Sequence, residues 1–368
     1  MVMIPVSRPA SNRLQSALQA LQEVWWRPAS EAGWGVRLIL VPLSWLYRAL
    51  AAGHRRWTRP ASRPPHTAAV PTLVVGNWVV GGAGKTPTTL ALLAHLQNRG
   101  WTPGVVSRGF GRLGQTVQRV DPLVHKAQEV GDEPLLVARR SGVPVVVGPD
   151  RQRARDWLLQ TAPEVDIVVA DDGLQHHRLW RDLEVVVVDE RGAGNGWCLP
   201  AGPLREPVPA RPSEHMLVLY SSGAASLALC GYCAQRHLSG VQSLQDWLLR
   251  RPCPPDGGWG ELKGRALHAA AGIAVPERFF SALRRQGLRL EQTYALPDHD
   301  AWDGMPWPAH AADAIVTEKD AVKLAACPAA CASTRVWVAR LDLDLPHDFT
   351  AELDRRLQAL RRPQPSTA

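Results

Sequence analysis

The chain has 368 residues, of which 45% are hydrophobic and 21% are charged. Its length suggests two or three structural units of roughly 150 residues each, and its composition excludes a disordered or collagen-like chain. No uncharged apolar run reaches the roughly 18 residues of a clear membrane span, which excludes a multi-spanning transporter.

The net charge of +8 is concentrated at the N-terminus. Residues 1–71 contain nine Arg, no Lys and two acidic residues, so the rest of the chain is nearly neutral. This distribution argues against a nucleic-acid-binding fold and for a basic appendage that contacts an anionic surface. Residues 1–22 lack the apolar centre of a cleavable signal peptide, and we therefore expect the protein on the cytoplasmic side of the membrane.

Residues 31–57 predict a helix, because apolar residues recur near helical spacing with Arg between them. The N-terminal region also holds five of the 15 Trp residues, namely Trp25, Trp26, Trp34, Trp45 and Trp57. A short apolar stretch flanked by Trp and Arg is typical of a helix at the bilayer–water interface. The alternative is a helix packed on the core of the protein itself. The Pro-rich residues 59–71 predict a linker.

The pattern changes after residue 71 to short apolar runs that alternate with helical stretches. The predicted strands are 72–76, 104–107, 143–148, 166–170, 184–189 and 216–220, with helices at 86–97 and 151–160. Continuous apolar strands alternating with helices indicate an α/β fold with a parallel sheet covered by helices.

A second, smaller α/β series follows. Its predicted strands are 269–275, 314–317 and 335–339, and its predicted helices are 276–286 and 349–361. Residues 222–264 show no clear pattern that would place a strand or a helix. We therefore predict an N-terminal membrane-associating segment over 1–71, a core domain over 72–215 and a smaller domain over 216–368.

A glycine-rich segment between the first predicted strand and helix is the sharpest motif of the chain. Glycines allow backbone N–H groups to surround a phosphate, and the helix N-terminus adds partial positive charge. A Lys in such a loop reaches the β- and γ-phosphates, and the following Thr binds Mg²⁺. Val79 stands where the general pattern has Gly, but the remaining context predicts a P-loop. Its predicted ATP-binding residues are Val79, Val80, Gly81, Gly82, Ala83, Gly84, Lys85 and Thr86.

Acidic residues elsewhere supply candidate metal ligands. Asp171 and Asp172 end an apolar strand downstream of the P-loop, where a nucleotide-bound Mg²⁺ is usually held; the alternative is a plain turn. Arg205 and Glu206 follow a later strand, and the alternative for them is a surface ion pair. The segments Gly131–Pro134 and Pro297–Asp300 are weak evidence for a functional site when each is taken alone.

The six Cys residues admit one further hypothesis. Cys230 and Cys233, with Cys327 and Cys331, have spacings that a four-thiolate zinc site would use. Scattered thiols in a reducing compartment are the better interpretation.

Taken together and in order, the motifs resemble those of the tetraacyldisaccharide 4′-kinase family, the lipid A 4′-kinases of Gram-negative bacteria. They are GGAGKTP at 81–87, SRGFGR at 107–112, GDEP at 131–134, DDGLQH at 171–176, GPLREP at 202–207, PDH at 297–299 and TEKD at 317–320. The resemblance covers roughly residues 30–345. Two positions depart from the common pattern: Phe110 stands for a Tyr, and Asp300 for a second His.

The resemblance implies transfer of the γ-phosphate of ATP to the 4′-hydroxyl of a tetraacyldisaccharide 1-phosphate lipid in lipid A biosynthesis. The product is the 1,4′-bisphosphate lipid IVA, and the enzyme works at the cytoplasmic face of the bacterial inner membrane. The implied partners are ATP, this lipid and the membrane surface, with no nucleic acid, and the implied cofactor is Mg²⁺.

The resemblance also implies roles for individual residues. The implied catalytic residues are Lys85, Asp132 and His299, with Asp132 accepting the proton of the sugar hydroxyl and His299 paired with it. Arg205 joins the P-loop in binding ATP. The implied metal ligands are Thr86, Asp171, Asp172 and Glu206.

Two functions from other classes remain open on the residues alone. A P-loop ATPase or GTPase that drives assembly would share the P-loop and the Asp pair, but it would not need Asp132 with His299. A nucleotide-binding scaffold recruited to the membrane would need no acceptor at all.

Overall fold

The computed structural model describes residues 21–58, 70–298, 300, 302, 304–324 and 333–361. Its strands, in chain order, are β1 Thr72–Gly76, β2 Pro103–Ser107, β3 Gln118–Arg119, β4 Val145–Val147, β5 Ile167–Asp171, β6 Leu183–Val188, β7 Met216–Tyr220, β8 Tyr232–Cys233, β9 Gln235–Ser243, β10 Ala266–Ala271, β11 Arg289–Ala295, β12 Asp313–Thr317 and β13 Arg335–Asp344. Its α-helices are α1 Val41–Thr58, α2 Lys85–Asn98, α3 Ala127–Val130, α4 Asp132–Ser141, α5 Arg151–Thr161, α6 Leu244–Leu248, α7 Pro276–Arg285, α8 Glu318–Leu324 and α9 His347–Leu360.

The chain divides into two compact units that interleave along the sequence. The large unit takes the described residues of Pro9–Arg108, Asp150–Gln235 and Asp344–Ala368. The small unit takes those of Gly109–Pro149 and Arg236–Leu343. The predicted three-part division at residues 71 and 215 stays a prediction.

The large unit is built on a parallel sheet in the order β2-β5-β1-β6-β7-β8. Val74 of β1 pairs with Ala170 of β5 on one side and with Glu184 of β6 on the other. Strands β1, β2 and β5 are buried along their whole length. Such strands carry apolar residues on both faces because helices cover both faces of the sheet. The α/β class predicted from the sequence is thereby confirmed.

The small unit contains a five-stranded sheet in the order β11-β10-β12-β13-β9. Strands β11, β10, β12 and β13 run parallel in their pairs. Phe279, Phe280 and Leu283 of α7 pack with the strand residues Leu267 and Ile315 to form its core. The short strands β3 and β4 form an antiparallel pair in the same unit.

Several predicted bounds differ from the observed ones. Strand β10 ends at Ala271 and not at residue 275, because Pro276 opens α7 and the chain must turn before it. The unassigned residues 222–264 contain β8, β9 and α6. Strand β9 has the sequence QRHLSGVQS, whose polar residues hide its strand character.

The N-terminal helix is exposed along most of its surface. A π-helical turn, Val36–Leu40, leads into α1, and the segment Val36–Thr58 is long and apolar enough to cross a membrane by length and composition. The exposed large apolar side chains of this region are Trp34, Leu38, Ile39, Leu43, Trp45, Leu46, Leu50 and Trp57. The alternative of a helix buried in the core is wrong for this face.

Candidate active site

The P-loop joins β1 to α2 in the large unit. Gly81 and Gly84 have φ values of 93° and 89°, a left-handed backbone that favours glycine. Helix α2 begins at Lys85, directly after Gly84. The first N–H groups of the helix and its partial positive charge therefore face the loop, which is the arrangement that binds phosphate at helix N-termini.

The ammonium group of Lys85 is held by two side chains. Its Nζ donates to Oδ1 of Asn77 at 3.0 Å and lies 3.4 Å from Oδ1 of Asp172. Asn77 is fully buried, and its Nδ2 donates to the backbone carbonyl of Val79 at 2.8 Å. Sequence analysis missed Asn77, although its place directly after β1 was the available signal.

The two acidic residues at the end of β5 have different surroundings. Asp171 is the last residue of the strand, is buried, and accepts a hydrogen bond from Oγ1 of Thr89 at 3.1 Å. Asp172 has a φ of 49°, which turns it out of the strand direction. Burial raises the pKa of Asp172, but the neighbouring Lys85 and Arg205 outweigh burial and leave this pKa below its usual range. Asp172 is therefore ionised at neutral pH.

Arg205 contacts this carboxylate directly, and Gln175 connects Arg205 to Glu206. Arg205 Nη1 donates to Oδ1 of Asp172 at 3.0 Å and to Oε1 of Gln175 at 3.1 Å. Gln175 Nε2 donates in turn to Oε1 of Glu206 at 2.9 Å. Burial raises the pKa of Glu206, and the hydrogen bond from Gln175 and the charge of Arg55 partly oppose that rise. Arg205 and Glu206 thus lie in a shared, partly buried network, in which Arg205 pairs with Asp172 at 3.0 Å and Glu206 lies 3.7 Å from Arg55. Their predicted roles at the nucleotide stay predictions.

The large unit thus brings Lys85, Asp172 and Arg205 into direct contact. A hydroxyl and carboxylates are the hard oxygen donors that Mg²⁺ takes, and Thr86, Asp171, Asp172 and Glu206 supply that donor set. Among the residues that the structure describes, no group of three or more His, Cys, Asp or Glu side chains could hold a metal ion. Mg²⁺ is usually held by one or two carboxylates together with substrate phosphates. The four ligands therefore stay a prediction for an ion that arrives with the nucleotide.

Arg151 lies next to Asp172, and His176 lies next to Arg151. Arg151 is buried, and its Nη2 donates to the backbone carbonyl of Asp172 at 3.3 Å. Burial lowers the pKa of Arg151 to about 10, against the opposing charge of Asp172. Burial, with the charges of Arg151 and Arg181, lowers the pKa of His176 to about 4. The backbone N–H of Arg151 donates to Nε2 of His176 at 3.2 Å, so this ring nitrogen is unprotonated.

The small unit holds a second cluster of charges around Asp132, the first residue of α4. Asp132 is buried, and its Oδ2 lies 3.6 Å from Nζ of Lys323 and 3.9 Å from Nζ of Lys319. Lys319 also donates to Glu133 at 3.2 Å and to Asp298 at 3.0 Å. Burial lowers the pKa of Lys319, but the three carboxylates outweigh burial and raise it above the usual range. His299 lies outside the described residues.

The TEKD motif positions those two lysines. Asp320 is fully buried and accepts hydrogen bonds from the N–H of Gly272, from Nε1 of Trp302 and from Oγ1 of Thr317. Glu318 is buried and paired with Arg140 at 2.7 Å. These two acids anchor α8, whose Lys319 and Lys323 then face Asp132.

Comparison with known proteins identifies the family. A sequence model of the tetraacyldisaccharide-1-P 4′-kinases matches residues 36–358. The chain belongs to the tetraacyldisaccharide 4′-kinase family. Tetraacyldisaccharide 4′-kinases of Methylibium petroleiphilum and Leptothrix cholodnii are each 48% identical to it, over 94% of this chain and 96% and 98% of theirs. The resemblance inferred from the motifs is confirmed, and the prediction of a kinase with it.

The fold also matches a solved structure of this family. LpxK from Aquifex aeolicus, crystallised in complex with ATP, superposes with a TM-score of 0.68 at 22% identity, covering 87% of this chain and 98% of that chain. This likeness supports the α/β architecture of the tetraacyldisaccharide 4′-kinases. The residue roles predicted for this chain stay predictions.

Four of the six Cys residues lie in the part of the chain that the structure describes. Cys198, Cys230, Cys233 and Cys253 are free. Cys327 and Cys331, which the zinc hypothesis also required, lie outside the described residues.

Proposed function

We propose that the chain transfers the γ-phosphate of ATP to the 4′-hydroxyl of a tetraacyldisaccharide 1-phosphate lipid, giving the 1,4′-bisphosphate. One observation carries this proposal beyond family membership. Lys85, at the start of the P-loop helix, shares the carboxylate of Asp172 with Arg205. The two cations thus converge on one point at the phosphate-binding end of α2, where the charge of a polyphosphate needs neutralising.

The donor half of the reaction belongs to the large unit. Backbone N–H groups of the P-loop bind the phosphates over Gly81–Thr86, because the N–H of Val80 is already bonded to the carbonyl of Pro203. The ammonium of Lys85 contacts the β- and γ-phosphates. Arg205 neutralises charge that spreads over the transferring phosphoryl group. Thr86, Asp171, Asp172 and Glu206 are the residues that would hold Mg²⁺, which supplies further neutralisation of phosphate charge when bound with ATP.

The acceptor half needs a base. The 4′-oxygen forms a bond to the γ-phosphorus, the bond from that phosphorus to the β–γ bridging oxygen breaks, and ADP leaves with its electron pair. The hydroxyl proton goes to the carboxylate of Asp132, with His299 as the partner that the family pattern gives it. The ammonium groups of Lys319 and Lys323, both within 4 Å of that carboxylate, favour its ionised form.

The acceptor is a lipid, so the enzyme must work at a membrane. The exposed apolar face of α1 and the Arg residues around it suit the cytoplasmic face of the inner membrane. Replacing Trp45 and Leu46 together by Ser should release the protein from vesicles that contain anionic lipid, while salt alone releases only part, because screening leaves the apolar contribution intact. Flotation of the double variant at the wild-type level would contradict this membrane role.

The decisive experiment follows γ-³²P-labelled ATP with the full chain, Mg²⁺ and the disaccharide lipid in mixed micelles. We expect a labelled lipid with one added phosphate at the 4′-position, and no label on the analogue that lacks the 4′-hydroxyl. Release of inorganic phosphate without labelled lipid would instead establish an ATPase. Nucleotide binding without any turnover would establish a scaffold.

A further inference from the structure

Helix α1 has a narrow inner stripe opposite its exposed apolar face. Val41, Ser44, Tyr47 and Ala51 recur at spacings of three and four residues, and they are less exposed than the residues between them. Ser44 is 2% exposed, although it is a polar residue on an otherwise exposed helix. A buried hydroxyl in such a place needs hydrogen-bond partners, and the partners show what the stripe holds.

Both polar residues of the stripe bind one loop, Cys198–Glu206. The hydroxyl of Ser44 donates to the backbone carbonyl of Cys198 at 2.8 Å and accepts from the N–H of Ala201 at 3.0 Å. The hydroxyl of Tyr47 donates to the backbone carbonyl of Arg205 at 2.8 Å. Ser44 therefore fixes the start of the loop, and Tyr47 fixes the residue whose guanidinium contacts Asp172.

The other side of the loop is bound to the segment that leads into the P-loop. The N–H of Val80 donates to the carbonyl of Pro203 at 2.9 Å, and the N–H of Arg205 donates to the carbonyl of Trp78 at 2.7 Å. The peptide groups on both sides of Arg205 thus have partners: Tyr47 on the carbonyl and Trp78 on the N–H. Arg55, eight residues after Tyr47 and so about two turns further along α1, lies 3.7 Å from Glu206.

We propose that Ser44 and Tyr47 are positioning residues, which hold the loop Cys198–Glu206 so that Arg205 and Glu206 face the phosphates and Mg²⁺ of the nucleotide. This inference rests on the roles given to Arg205 and Glu206 in the proposed function. Helix α1 then has two separate tasks on its two faces, since the exposed face meets the membrane while the inner stripe completes the nucleotide site.

The test compares Tyr47→Phe and Ser44→Ala with the full-length wild type in detergent. Tyr47→Phe removes one hydroxyl from a half-buried ring and keeps the ring, so we expect it to fold. Calorimetry should show binding of Mg²⁺–ATP weakened about two- to tenfold, the effect of one lost hydrogen bond. In the transfer assay, the Mg²⁺ concentration for half-maximal rate should rise and kcat should fall, while the KM for the lipid stays within about twofold.

The matched control is Tyr232→Phe. Tyr232 is a partly exposed tyrosine of the same unit, and its ring packs on Phe349. The Tyr232→Phe variant should bind Mg²⁺–ATP as the wild type does. Vesicle flotation should be unchanged in all three variants. A melting temperature without nucleotide close to that of the wild type separates loss of positioning from loss of the fold.

Two results would overturn the inference. One is wild-type affinity for Mg²⁺–ATP and wild-type Mg²⁺ dependence in both Tyr47→Phe and Ser44→Ala. The other is a kinetic defect confined to the KM for the lipid, which would place the stripe in lipid binding. If the wild type binds Mg²⁺–ATP but transfers no phosphate, the proposed function fails, and the affinity comparison still decides the inference.

Discussion

The two charged clusters of the molecule differ in their balance of charges. Two cations face one carboxylate in both clusters, Asp172 in the large unit and Asp132 in the small one, but in the small unit further carboxylates surround one of the cations. In the large unit, one carboxylate, Asp172, is shared by the cations Lys85 and Arg205, and Arg151 donates to its backbone. In the small unit, one ammonium, Lys319, lies within 4 Å of three carboxylates: Asp132, Glu133 and Asp298. The first balance suits a polyphosphate, whose charge must be neutralised, and the second suits a group that takes up a proton.

Under the proposed function, the groups that bind the phosphate donor belong to one unit and the base for the acceptor belongs to the other. This separation also predicts different kinetic consequences when each cluster is damaged. Loss of a cation in the large unit removes charge neutralisation, whereas loss of the carboxylate in the small unit removes the proton acceptor and leaves the nucleotide site intact.

The largest effect should follow from Asp132→Asn, which removes the proposed base of the small unit. The amide cannot take the hydroxyl proton, and we expect kcat to fall by about 10² to 10⁴ while the KM for ATP stays nearly constant. Steady-state kinetics of lipid phosphorylation measures both constants. Asp256→Asn, an exposed acid of the same unit, serves as the control and should retain wild-type rates.

A variant Asp132→Asn whose only defect is weak ATP binding would contradict this assignment. It would move Asp132 to the nucleotide site and remove the proposed separation of donor and acceptor groups between the two clusters.

Lys85→Ala removes one of the two cations that face Asp172 in the large unit. Loss of one preorganised cation at the transferring phosphate should lower kcat by about 10² to 10³. Asp172 keeps Arg205 as a partner, so the melting temperature should change little. Lys263→Ala, at an exposed lysine, is the matched control. A folded Lys85→Ala protein with near-normal turnover would rule out the P-loop assignment.

The sequence predicts the large unit better than the small one, for a physical reason. Strands buried on both faces are continuous apolar runs, and β1 and β7 have the predicted bounds. Strand β11 reads RLEQTYA, with polar and apolar residues mixed and two exposed positions, so it was not predicted. Strand β9 was missed for the same reason.

The candidate site follows the same division. The P-loop and the Asp pair are contiguous motifs, so their backbone context can be inferred from the sequence. The contact of Lys319 with Asp132 joins residues 187 positions apart, and only the folded chain brings them within 3.9 Å. Ser44 and Tyr47 were missed because their partners are backbone groups, which leave no trace in residue types.

Lys323→Met tests how the ammonium of Lys323 affects the protonation of Asp132. Oδ2 of Asp132 is faced by Lys323 and Lys319, Lys323 is also faced by Asp320, and Glu133 and Asp298 face Lys319. Removing one ammonium should favour the protonated carboxyl, so the acidic limb of the kcat–pH profile should move to higher pH. The loss of activity relative to the wild type should therefore be largest at low pH. Lys263→Met is the control, and an unmoved acidic limb in a folded variant would contradict the ion pair.

The smallest expected effect concerns His176, which borders the cation-rich cluster as an uncharged ring. Its pKa is lowered from 6.5 to about 4 in the folded protein by burial and by Arg151 and Arg181. Between these values the unfolded chain binds the proton more readily than the folded chain, so stability falls as the pH drops from about 6.5 toward 4. The full shift would correspond to about 3 kcal/mol, but the half-buried ring is partly screened by solvent, and we expect about 1 kcal/mol. Urea unfolding at pH 7 and pH 5 should show a smaller loss in His176→Gln than in the wild type. His215→Gln, at an exposed ring of the same unit, should lose stability as the wild type does, and an equal loss in all three proteins would show that His176 does not carry this pH dependence.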